Sequence, residues 1–130
     1  MVAFTKYWFD LVTYSDNTND TGPIKAVTSR SCYLCAKQII DPVDYNKSVG
    51  AWRAGGVTKL AMTMSKVIKN DGFGGFLLDR EEITAYLASG KVQASVPKTQ
   101  TPLVGTLYLQ YADGWKVIDL EFIEAGATSK

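Results

Sequence analysis

Two cysteines set three apart, in the run Ser31-Cys32-Tyr33-Leu34-Cys35, come nearest in this sequence to residues placed for chemistry. A thiol at a helix N-terminus is held toward its thiolate, and a Cys-x-x-Cys pair there can exchange disulfides. If the pair is redox-active, Cys32 is the nucleophile and Cys35 the resolving thiol. The plainer reading puts Cys32, Cys35, Ala36 and Ile39 on one buried helical stripe, because free cysteine behaves as a small hydrophobe. Both readings stay open at this point. Two cysteines do not complete a four-cysteine zinc site within one chain, and histidine is absent. That absence removes the commonest general base and the commonest metal ligand. Ser-His-Asp and Cys-His catalysis within one chain are therefore excluded, and no catalytic residue, metal or cofactor is expected.

The segment Ile24-Lys25-Ala26-Val27-Thr28-Ser29-Arg30-Ser31-Cys32-Tyr33-Leu34-Cys35 resembles the active-site stretch of glutaredoxin-like proteins. That resemblance implies a thiol–disulfide oxidoreductase, with further strands, a closing helix and a cis-proline at Pro97 or Pro102. The chain instead ends in a hairpin. Within that hairpin, Asp113-Gly114-Trp115-Lys116-Val117-Ile118-Asp119-Leu120 resembles the last strands of the cone-shaped domains of the nuclear transport factor 2-like kind. That likeness implies a small-ligand pocket behind the sheet, although such domains open with a long helix where this chain reads as a strand.

Other candidates carry less. Asp119 and Glu121 share a strand face, and paired carboxylates act as acid and base only when burial splits their pKa values. Asp16, Thr18 and Asp20 place oxygens at alternate positions, as a calcium loop does, but Gly22 falls late and no bidentate Glu follows. Gly72-Phe73-Gly74-Gly75-Phe76 lacks the strand and lysine of a phosphate loop. Its glycines would let Phe73 project from a mobile loop into a neighbouring subunit, or let it fold back into the core.

The bulk numbers narrow the partners. The chain has 130 residues, 46% hydrophobic and 21% charged, with net charge +1. This is the size and composition of one globular domain, spanning residues 1–130. No basic cluster marks nucleic acid or a membrane surface. No window is apolar enough for a membrane helix, and the N-terminus is not a signal peptide. A cytoplasmic location, or one inside an assembled particle, is expected. The favoured function is a non-enzymatic structural or protein-interaction subunit that self-associates, a virion component being one concrete form. Phe73, Tyr108 and Trp115 are its candidate interface residues, because mixed aromatic and polar faces suit protein interfaces.

These residues need elements to hold them. Residues 4–14 alternate as a strand. Ser15 to Pro23 reads as a loop and Pro23 to Thr28 as a short strand. Ser31 caps a helix to about Ile40, which Asp41-Pro42 stops. Val57, Leu60, Ala61, Met64 and Ile68 mark a second helix, and Asp79 with Glu82 opens a third. Phe76 to Leu78 and Val92 to Val96 read as strands. Asp113-Gly114 then turns a hairpin from Leu103 to Ile123. Its expected register pairs Ala112 with Trp115, Leu109 with Ile118 and Leu107 with Leu120. Leu103, Leu107, Leu109, Ile118, Leu120 and Phe122 face inward; Thr106, Tyr108, Gln110, Trp115, Asp119 and Glu121 face outward. A polar tail, Gly126 to Lys130, follows. The fold class is α+β: a mainly antiparallel sheet with about three helices on one face, an N-terminal strand and a C-terminal hairpin.

Overall fold

Residues 2–18 form a helix and not a strand. The computed structural model describes residues 1–123, so the polar tail Gly126 to Lys130 lies outside the described residues. Helix α1 (Val2–Thr18) buries Thr5, Trp8, Phe9, Leu11 and Ser15. Two of those five are hydroxyl residues, which hide the helical stripe from a hydrophobicity reading. Each is satisfied by bonding back one turn: Thr5 Oγ1 donates to Met1 O at 3.0 Å, and Ser15 Oγ to Leu11 O at 2.7 Å. Asn19 ends the helix in a left-handed conformation, φ 59, with its N–H on Ser15 O.

The expected strand at Pro23–Thr28 is instead a short helix, α2 (Gly22–Ala26), with Pro23 in its first turn, where a missing N–H costs nothing. After a turn at Ser29–Cys32, the chain enters a π-helix (Cys35–Ile40) that runs directly into α3 (Asp41–Val49). Asp41-Pro42 therefore does not stop the helix. A proline ring collides with the carbonyl four residues back in an α-helix, and the wide π turn before Pro42 shifts that carbonyl away. Gly50, φ 75, closes α3.

The remainder is antiparallel sheet. A four-stranded sheet has the order β2-β3-β6-β7, from β2 (Thr58–Ile68), β3 (Asp71–Arg80), β6 (Leu103–Tyr111) and β7 (Trp115–Ile123). A three-stranded sheet has the order β1-β4-β5, from β1 (Trp52–Gly55), β4 (Ile83–Tyr86) and β5 (Val92–Val96). The helices expected from Val57 and from Asp79 are thus strands β2 and β4. The chain passes directly from one sheet into the other. Gly55 pairs with Ile83 in one sheet and Thr58 with Arg80 in the other. Between them, Gly56 N–H donates to Glu82 O and Glu81 N–H to Val57 O, both at 2.9 Å. So β1–β2 and β3–β4 are each one chain run that bends once, and Thr99 N–H on Arg80 O carries β5–β6 around the same corner. Gly55 and Gly56 make the corner, with φ 86 and 79. A Cβ on Gly55 would stand 2.4 Å from Glu82 O.

The fold class holds: antiparallel sheets with about three helices packed on one face. The core between them holds Trp8, Phe9, Ile24, Cys32, Cys35, Phe76, Leu107, Leu109, Val117 and Leu120. Trp8 has no exposed surface, and its Nε1 donates to Thr28 Oγ1 at 2.9 Å. Thr28 Oγ1 donates in turn to Ile24 O at 2.6 Å, so both of these buried groups are paired. Phe9 meets Phe76 edge-on, centroids 5.0 Å apart.

The terminal hairpin is present, with one local change of register. Leu107 pairs with Leu120 as expected, but Tyr111 pairs with Trp115, and Leu109 with Val117. The loop is therefore three residues long, with Asp113 at φ 59. A bulge between Tyr108 and Leu109 on one strand's pairing restores the expected register beyond it. Val117 consequently takes the fully buried place expected for Ile118. Its backbone also pairs sideways: Val117 N–H donates to Val27 O at 2.9 Å, and Ser29 N–H to Val117 O at 2.7 Å.

Among the described residues no helix is long and apolar enough to cross a membrane.

Candidate functional site

Side chains alternate across a strand, so the face of the four-stranded sheet turned away from the helices can be read row by row from the pairing. One row runs Lys66, Phe73, Tyr108, Asp119 across β2, β3, β6 and β7. The next runs Met64, Gly75, Thr106, Glu121, and a third runs Ala61, Leu77, Val104, Ile123. Over these three rows the face is apolar and aromatic in its middle, with Lys66 at the β2 edge and Asp119 and Glu121 at the β7 edge; a fourth row, Ile68, Asp71, Gln110, Lys116, puts a cation at the β7 edge instead. Phe73 and Tyr108 stack, with centroids 5.7 Å apart and planes at 28°. The Glu121 carboxylate beside the Tyr108 hydroxyl raises that phenol above its ordinary pKa. Met64 is 44% exposed, Ile68 57% and Ile123 42%, all toward solvent.

The structure brings two of the three candidate interface residues together. Phe73 is not on a mobile loop. It sits within β3 because the inward glycines of that strand leave room for other side chains: a Cβ on Gly72 would press on Met1 and Trp115, and one on Gly74 on Met62. Trp115 is not on the outer face. The shifted register turns it inward with Val117, half-buried against the core and edge-on to Tyr111 at 5.1 Å. Met64, Leu77, Val104 and Ile123 are the members of the face that sequence reasoning misses. Reading Val57–Ile68 as a helix scatters its outward residues over unrelated directions.

Cys32 and Cys35 are joined as a disulfide, with Cα atoms 5.3 Å apart, and neither residue has exposed surface. Cys35 N–H points at Cys32 Sγ, 3.2 Å away. Thiol–disulfide exchange needs a sulfur that an outside thiolate can reach. This pair faces the core beneath Trp8 and Ile24, and no peptide bond among the described residues is cis, at Pro97, Pro102 or elsewhere. The bond fastens the Ser29–Cys32 turn to the start of the π-helix. Asp16 is not a calcium ligand here. It pairs with Arg53 Nη1 at 2.8 Å, and burial pushes its carboxyl above the ordinary value while Arg53 opposes the shift. Thr18 and Asp20 bond within their own turn. Asp119 and Glu121 are both exposed.

The small-ligand reading needs an apolar cavity behind the hairpin. That space is filled by Phe9, Phe76, Leu107, Leu109 and Leu120. The feature that set this chain apart from the cone-shaped domains, a strand in place of the long first helix, is gone, because α1 stands there.

Residues 1–121 match the profile of a protein family described as a family of unknown function, DUF6318. No curated protein matches the sequence. Among solved structures, the chain is similar to the crystal structure of the intermembrane space region of the chloroplast protein ARC6, with TM-score 0.66 and 10% identity. The superposition covers 94% of this chain and 92% of that one, and it shows a shared fold.

Proposed function

The chain belongs to the DUF6318 family, and we propose that it is a non-enzymatic protein-interaction domain that self-associates through the outer face of its four-stranded sheet. The observation that carries this reading is the uncovered, apolar and aromatic centre of that face. Monomeric proteins seldom leave such a patch in water, and aromatic centres with charged rims suit protein partners. The fold shared with the intermembrane space region of ARC6 is compatible with that reading.

The rows of the face are also self-complementary. Two copies stacked face to face about a two-fold parallel to the strands set β2 over β7 of the partner subunit, and β3 over its β6. Lys66 then meets Asp119 of the partner subunit, and Phe73 meets Tyr108 of the partner subunit. The apolar row, Ala61 to Ile123, closes on itself. Light scattering after size exclusion tests this. A dimer is expected, weakened by Lys66→Glu and by Asp119→Lys and recovered when both are combined. A stable monomer at every concentration, or a dimer indifferent to those reversals, refutes it.

The disulfide bears on location. Such bonds persist in oxidising compartments and are rare in cytosol. Cys32–Cys35 therefore favours an oxidising compartment over the expected cytoplasmic one.

A further inference from the structure

Beside strand β7, where the 27–29 segment bonds to Val117, a cleft of about 640 Å³ opens between the 25–30 segment, the π-helix and Lys116. Its size is that of a small-molecule site, about 300–1,000 Å³. Its charges do not balance. Lys25 is paired with Asp44 at 2.9 Å, and Asp41 with Lys37 at 3.6 Å. Arg30 and Lys116 also line it, and neither has an ion-pair partner among the described residues.

The backbones that carry the two unpaired cations are joined. Arg30 follows Ser29 and Lys116 precedes Val117, and the backbones of Ser29 and Val117 are bonded at 2.7 Å. Thr28, in the cleft floor, is spent on Trp8 and Ile24. The Ser29 hydroxyl is spent within its own turn: it accepts from Ser31 N–H at 3.2 Å and lies 2.9 Å from Ser31 Oγ. A guanidinium and an ammonium carried by two bonded segments at one cleft suit an anionic group with two charges: the guanidinium in a forked contact, the ammonium as a point charge.

We propose that this cleft binds a small ligand through a doubly charged oxyanion, either a phosphate or a pair of carboxylates. The test titrates the full chain with inorganic phosphate and, separately, with succinate at low salt, following backbone amide shifts. Saturable shifts are expected in residues 25–41 and 115–118. Arg30→Ala and Lys116→Ala should each weaken binding about tenfold, and Lys98→Ala, outside the cleft, should leave it unchanged. Saturation by phosphate alone or by succinate alone supports the site and names the oxyanion. Shifts that never saturate with either probe, that spread equally over Lys6 and Lys59, or that ignore both cleft substitutions overturn it.

Discussion

Gly55 and Gly90 share one backbone angle, φ 86, in different surroundings, and a pair of substitutions can separate conformation from close approach. An alanine at positive φ costs about 1–2 kcal/mol. Its stiffer unfolded chain returns about 0.4–1 kcal/mol. A Cβ at Gly90 meets nothing within 4 Å. Gly90→Ala should therefore lose only the conformational difference, about 1 kcal/mol. At Gly55 the same carbon falls 2.4 Å from the carbonyl oxygen of Glu82, roughly 1 Å inside an ordinary carbon–oxygen contact. Glu82 must move, and its carbonyl accepts the Gly56 N–H at 2.9 Å, one of the bonds that carry the strands around the corner. Adding about 1 kcal/mol for that bond and about 1–3 kcal/mol for the forced shift gives a total loss of about 3–5 kcal/mol for Gly55→Ala. Urea unfolding of both variants reads the difference directly. If Gly55→Ala falls within about 0.5 kcal/mol of Gly90→Ala, the corner is not held by that approach, and the account of how the two sheets join is wrong.

Further expectations follow from other parts of the molecule. Reducing Cys32–Cys35 should cost about 2 kcal/mol, as closing so short a loop implies, yet thiol titration after brief reductant should find no free thiol until denaturant is added. Ready reduction in native buffer would restore the oxidoreductase reading. Trp8→Phe should cost about 2–3 kcal/mol in thermal or urea unfolding, through lost volume and the broken bond to Thr28; an unchanged midpoint would show that site to be loosely packed. Asp44 accepts bonds from Lys25 and Thr21, which lower its pKa below the usual carboxylate value. A lowered folded pKa stabilises above the unfolded value, and that contribution is lost as pH falls through the ordinary carboxylate range toward the folded value. Asp44→Asn should flatten the acid limb of stability against pH and leave its slope near pH 7 alone; an unchanged acid limb refutes this.

The hairpin was the most legible element because two independent signals, the Asp113-Gly114 turn and the inward Leu107, Leu109 and Leu120, agree on one pairing. Its tip was less so. A two-residue and a three-residue loop use the same Asp-Gly, and the later bulge hides the difference by restoring register. Helix α1 was misread because its buried stripe includes Thr5 and Ser15, whose hydroxyls are satisfied internally. What remains visible, Tyr7, Phe9 and Leu11, mimics alternation. β2 failed in the opposite sense. It is an edge strand with a bulge between Met62 and Met64, carrying apolar residues on both faces, and that mixture falls by chance on helical spacing. The outer face depends on this strand, so half of the candidate site stayed hidden, whereas Phe73 and Tyr108, on inner strands β3 and β6, could be named. The π-helix gave no signal, since its residues, Cys35 to Ile40, are ordinary helix formers apart from the cysteine.

Strands that serve two sheets constrain where the sequence can change length. Inserting one residue into β3 would reverse the facing of everything after it as far as the next turn, in β4 as well as β3, because no loop separates them to absorb the slip. The same holds for β1 with β2. Insertions and deletions among members of this family should therefore gather at the connections around 69–70, 87–91, 97–102 and 112–114, and the corner at Gly55-Gly56 should keep its length even where its neighbours drift in sequence.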